Sequence, residues 1–191
     1  MSVVMTPGRT ARTVAVTEPV AKSYLVNAAF LEEIKDSNPA FWDAVSGLRQ
    51  SILIAEEDLE RPQRTIKQMV VALGDLQAQL AIQYSLEESY GYVVIAAAPS
   101  QLFDPGDHLA LQALETAEKT VRQHRSLYLE LSELAEHAEE LQYRGCGRDS
   151  LVAFVSRLDA FNDQLAEHER LENSVMVMFR SRRSLQHAAI G

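Results

Sequence analysis

Apolar residues recur in steps of three and four along four separate stretches of the chain. The first stripe is Leu31, Ile34, Asn38, Phe41, Val45, Leu48, Ile52, Ala55 and Leu59, ending near Glu60 just before Pro62. The second opens near Arg64 and runs Ile66, Met69, Leu73, Leu76, Leu80, Gln83, Glu87. The third opens near Asp107 with Leu114, Ala117, Val121, His124, Tyr128, Leu131, Leu134, Ala138 and Leu141. The fourth follows the Gly145-Cys146-Gly147 turn, with Asp149 or Ser150 as its cap, and runs Leu151, Phe154, Leu158, Phe161, Leu165, His168, Glu172, Val175, Phe179. This period is that of amphipathic helices. Four of them with mostly short connections predict an all-α, up-down-up-down antiparallel four-helix bundle. Pro39 either starts a new helix capped by Asn38 or kinks a longer one. One connection, from about Ile95 to Asp107, is longer and carries Pro99, Pro105 and Gly106.

The ends read differently. Residues 1–23 have no helical period and are expected to form a flexible arm. Residues 24–182 form the bundle, and 183–191 a basic tail. Of 191 residues, 47% are hydrophobic, enough for a sizeable core, while 8 Gly and 6 Pro are too few for a many-turned β fold. The single cysteine, Cys146, excludes a disulfide framework and a cysteine-built metal cluster within one chain. A net charge of −9 argues against nucleic acid as the partner. No apolar run is long enough for a membrane span. A cytoplasmic protein is expected, with a homodimer or a protein partner left open. There is no phosphate loop and no nucleophile elbow, so no catalytic residue is assigned.

The chemistry lies where the stripes break. Gln83, Glu87, His124, His168 and Glu172 occupy positions where an apolar residue is expected. An unpartnered buried charge is very costly, so these groups should meet one another or a ligand. Gln83 and His168 each lie 19 residues from the same end of the bundle, and His124 lies 18 from it. At about 1.5 Å per residue they share a layer roughly 27–29 Å from that end. The same count on the first helix points to Asn38 to Trp42. Two imidazoles and two carboxylates on one level are a ligand set for iron, manganese or zinc.

These segments resemble the hemerythrin-like, HHE cation-binding family. Gln83-Tyr84-Ser85-Leu86-Glu87-Glu88 with Gly91-Tyr92 is similar to that family's second helix. Val121-Arg122-Gln123-His124 resembles its third-helix histidine segment, and His168-Glu169-Arg170-Leu171-Glu172 its fourth-helix run. Phe30 to Asn38 resembles the approach to the first-helix histidine. The resemblance implies a di-iron site, and the departures from it imply a degenerate one. Gln83 and Asn38 stand where the family has histidines, and Tyr128 stands where a further one is usual. His124, His168, Glu87 and Glu172 remain as ligands for at most one metal ion, with Gln83, Asn38 and Tyr128 as cavity lining.

Three states stay open for this layer: one bound metal ion, a metal-free network of protonated imidazoles and carboxylates, or a complete two-metal site with other ligands. The leading function is a hemerythrin-like protein with a degenerate site in sensing, binding or protein interaction. The rivals are a mononuclear iron or manganese enzyme acting on dioxygen or peroxide, and a metal-free structural bundle. His108, His137 and His187 read as surface residues. Cys146 reads as a loop cysteine, or as a thiol activated by Arg144 and Arg148.

Overall fold

The computed structural model describes residues 23–95 and 106–188. Among them are six α-helices packed against each other, one π-turn and two short strands. The chain is all-α in character. Residues 1–22 and 189–191, and with them nearly all of the expected arm and the end of the expected tail, lie outside the described residues. So does most of the long connection.

Strand β1 (Ser23–Val26) leads into α1 (Ala28–Ser37), where the Asn27 side chain accepts from Phe30 N–H at 3.2 Å. Helix α2 (Pro39–Ile52) begins afresh, because Asn38 Oδ1 caps Phe41 N–H at 3.2 Å and Pro39 sits in its first turn. The break at Pro39 is therefore a new start and not a kink. The first stripe breaks again after Ile52, and the short α3 (Glu56–Glu60) opens where Asp58 accepts from the Ala55 N–H at 2.9 Å. Helix α4 (Pro62–Leu86) again has proline in its first turn. Helix α5 (His108–Arg144) is capped by Asp107, which accepts from Ala110 N–H at 3.0 Å. It ends at Gly145, whose φ of 95° lies in the left-handed region that favours glycine. Helix α6 (Arg148–Ala188) opens earlier than expected. Asp149 and Ser150 lie inside its first turn and do not cap it. The helix also runs through residues 183–188, expected as tail.

Between α4 and the second strand, β2 (Tyr92–Ile95), the chain makes a single π-turn over Glu87–Gly91. Strands β1 and β2 pair antiparallel, Leu25 opposite Val93 and Val26 opposite Tyr92. The pairing brings Gly91 against α1. Asn27 N–H donates to Gly91 C=O at 2.8 Å, and a Cβ on Gly91 would stand 2.3 Å from Leu31 Cδ2.

The apolar interior has two parts. The larger gathers Phe41, Val45, Leu73, Leu80, Tyr84, Leu127, Leu131, Phe161 and Leu165 among others. The smaller is built on Leu31, Tyr92, Ala117, Val175 and Met176. Each arm of the fold passes from one cluster to the other. On α5 the order is Ala117, His124, Leu127; on α6 it is Leu165, His168, Glu172, Val175. From α4 through the π-turn it is Leu80, Gln83, Glu87, Tyr92. The polar residues thus form a buried layer between two apolar clusters. No helix among the described residues is long and apolar enough to cross a membrane.

Candidate metal centre

Gln83, Glu87, His124, His168 and Glu172 are all buried, each with 3% or less of its surface exposed. Such burial of ionisable groups demands compensation. Three of them, Glu87, His124 and His168, present ligand atoms that all lie within 4.8 Å of one another and can hold a metal ion. They come from the π-turn, α5 and α6. The π-turn inserts one extra residue per turn, which aims Glu87 inward and lets its neighbour Glu88 reach α5.

The imidazoles are held by their outer nitrogens. His124 Nδ1–H donates to Glu88 Oε1 at 2.9 Å, and His168 Nδ1–H donates to Gln123 Oε1 at 3.3 Å. Both Nε2 atoms therefore face inward. A carboxylate or amide behind a histidine fixes its tautomer and orientation for metal binding. Glu87 is held likewise. Gln83 Nε2–H donates to its Oε1 at 2.5 Å, and Asn38 Nδ2–H donates to Gln83 Oε1 at 2.9 Å. Oε2 of Glu87 is left facing the imidazoles, 3.3 Å from His124 Nε2.

Glu172 stands beside this trio and not within it. Its Oε2 is taken by Lys35 Nζ at 2.7 Å, and Lys35 also donates to Asn173 Oδ1 at 3.0 Å. Its Oε1 is free. Two tyrosines close the layer: Tyr84 stacks on His124 with ring centroids 4.0 Å apart, and Tyr92 meets His124 edge-on at 6.1 Å.

The protonation pattern follows from these neighbours. Burial opposes a charge on His124, but the adjacent carboxylates of Glu87 and Glu88 outweigh it and push its pKa up to about 9. Burial, with the charges of His124 and Lys35, lowers His168 to about 3, so its imidazole is neutral. Burial and the Glu87 charge push the Glu172 carboxyl up to about 7, against the pull of Lys35. Burial and the carboxylates of Glu87 and Glu172 keep both Tyr84 and Tyr92 as neutral phenols.

Six buried side-chain atoms among the described residues have no hydrogen-bond partner: Glu87 Oε2, His124 Nε2, His168 Nε2, Glu172 Oε1, Tyr84 OH and Tyr92 OH. All six belong to this layer. Two of them, Glu87 Oε2 and His124 Nε2, face each other at 3.3 Å and are reconciled by a proton on His124 in the metal-free chain; each atom left unmet costs about 1–3 kcal/mol. Three of them, Glu87 Oε2, His124 Nε2 and His168 Nε2, belong to the trio, with the His124 proton displaced when an ion binds. That donor set suits a divalent cation.

Some expectations need correction. Tyr128 does not line the cavity: it is 36% exposed, and Leu127 takes the inner position on α5. Glu88, Gln123, Lys35, Tyr84 and Tyr92 take part in the layer and were not singled out as site residues. Cys146 is buried and its thiol pKa is raised by that burial, while Arg144 and Arg148 pair with Glu140 and Glu56. The activated-thiol reading therefore has no support. His108 is exposed, and His137 is engaged by Arg157 at 2.6 Å near the surface. No protein-family model, curated protein or solved structure matches this chain.

Proposed function

We propose that this protein binds a single divalent metal ion, iron, manganese or zinc in type, in a hemerythrin-like helical bundle whose second metal position has been lost. Its role is sensing, binding or protein interaction. The observation that carries this reading is the convergence on one layer of the six buried side-chain atoms that, among the described residues, make no aligned hydrogen bond. Glu87, His124 and His168 would hold the ion, with Glu172 Oε1 as a further oxygen. The ion would supply a Lewis-acidic centre in this buried layer.

The bundle part of the reading has its own support. Helix α2 packs on α4, α4 on α5, α5 on α6, and α6 returns to α1 and α2. Such a closed ring of neighbours suits four arms, with α1 and α2 together as the first. The loss of a second ion is supported by the amides. Asn38 donates to Gln83, and Gln83 donates to Glu87, in the place where the resembling family carries histidines. Neutral amides serve such a site as hydrogen-bond partners and are poor ligands for iron.

A second reading, an enzyme acting on peroxide or dioxygen at that ion, is favoured by the neutral phenols of Tyr84 and Tyr92 beside the ligands. The test is metal content by mass spectrometry on protein purified without chelator, followed by a peroxide turnover assay. About one ion per chain without turnover supports the leading reading, and turnover supports the second. A folded chain that takes up no metal leaves the structural bundle.

A further inference from the structure

Each buried carboxylate of the layer has one oxygen already engaged by a donor of this chain and one that makes no aligned hydrogen bond. Glu87 Oε1 accepts from the Gln83 amide, and Glu172 Oε2 is paired with the Lys35 ammonium. A carboxylate bridging two metal ions would need both oxygens. Lys35 reaches this position from the last turn of α1. Its backbone carbonyl there is pinned by the Trp42 indole N–H at 2.8 Å. Its side chain is only 13% exposed, and its ammonium pairs with the buried Glu172 while also donating to Asn173 at the protein surface. It bridges the edge of the fold and the buried layer.

We infer that Lys35 is a specificity-determining residue of the centre: its ammonium stands beside Glu172 in place of a second cation and tunes the layer to one divalent ion. The inference rests on the metal-binding reading above. The charges explain the tuning. The buried carboxylates Glu87 and Glu172 bring two negative charges and Lys35 one positive charge, with half-exposed Glu88 at the edge of the layer. Nearby Glu169 is paired with Arg49. Each further positive charge on a buried ion beside the Lys35 ammonium is costly, so the divalent state is favoured over the trivalent. Without Lys35 one positive charge is gone, and the trivalent ion is better tolerated. A unit charge several ångströms from an ion in a partly screened interior changes such a preference by at least about tenfold.

Iron is the probe, because both oxidation states bind to the same ligands. The full chain is loaded anaerobically with ferrous iron, its stoichiometry is measured, and the midpoint potential of the bound iron is titrated. Lys35→Met should lower the midpoint by at least about 59 mV, the equivalent of a tenfold shift toward the ferric form for one electron. Lys35→Arg, which keeps the charge, should leave it near the parent value. If Lys35→Met fails to fold because it strands the Glu172 carboxylate, Glu172→Gln is compared with the Lys35→Met/Glu172→Gln double variant. That pair removes the same charge without stranding one, and the double variant should show the lower midpoint. Equal midpoints with and without Lys35 overturn the inference while leaving the metal site standing. A parent chain that binds no iron, manganese or zinc overturns the metal-binding reading and the inference with it.

Discussion

His124 Nε2 lies 3.3 Å from Glu87 Oε2, with both side chains buried and no hydrogen bond aligned between them. Because Glu88 holds the other ring nitrogen as a donor, a neutral His124 turns a lone pair toward the lone pair of Glu87. Two acceptors at that distance need a positive charge to reconcile them. A proton does so in the metal-free protein, which is why His124 holds it so tightly. A metal ion does so by displacing that proton.

The pH dependence of stability follows from His124. Its pKa rises from 6.5 to about 9 on folding. The proton is thus bound more tightly in the native state, and its stabilisation is complete below pH 6.5 and lost as pH rises through 9. The loss is about 3 kcal/mol over that window. Glu172, raised from 4.5 to about 7, acts in the same direction but at lower pH. His168, lowered to about 3, acts in the opposite direction and only below 6.5. Thermal unfolding of chelator-treated protein should therefore show a melting temperature that falls between pH 7 and 9.5. His124→Asn should flatten that fall. A parent profile that is level or rising there contradicts the assigned proton.

Glu88 is half exposed, so replacing it should not disturb folding. It orients His124, and outer partners of this kind are commonly worth about 10–100-fold in metal affinity. Glu88→Gln should weaken cobalt(II) binding within that range by competitive titration, with the chain still folded and only modestly less stable at neutral pH, because His124 loses one of the two carboxylates that hold its proton. Unchanged affinity would remove Glu88 from the centre.

Gly91 places the π-turn against α1. A methyl group there would stand 2.3 Å from Leu31 Cδ2, in a cluster where Leu31 and Tyr92 are fully buried. Gly91→Ala should destabilise the chain by about 1–3 kcal/mol, read as a lower urea midpoint. It should also weaken metal binding, because the turn carries Glu87. A parent-like midpoint would mean that α1 yields freely.

The sequence was most legible where a helical period ran for many turns. His124, His168, Glu87, Glu172 and Gln83 were visible as polar residues on apolar stripes, and counting along the helices put them at one height. The method fails where the geometry is not periodic. The π-turn shifts the helical phase by one residue and has no signature of its own, so nothing marked Glu88 as the partner of His124. The phase of α5 was misjudged by one residue at Tyr128, because Leu127 and Tyr128 both suit an inner face. Tyr84 and Tyr92 carry no local pattern that places their hydroxyls beside the histidines. Lys35 carries its charge inward on a long apolar stem, and nothing in its local sequence marks that direction. Strands β1 and β2 were hidden because their pairing joins residues some 70 positions apart, although Val93, Val94 and Ile95 carry the β-branched signal.

Anomalous diffraction from crystals grown with cobalt(II) or zinc(II) tests the central claim most directly. The account expects one anomalous peak per chain, within about 2.0–2.2 Å of His124 Nε2, His168 Nε2 and Glu87 Oε2, and its loss in His168→Ala crystals. No peak in that layer, or a peak only at surface residues such as His108 or His137, would contradict it.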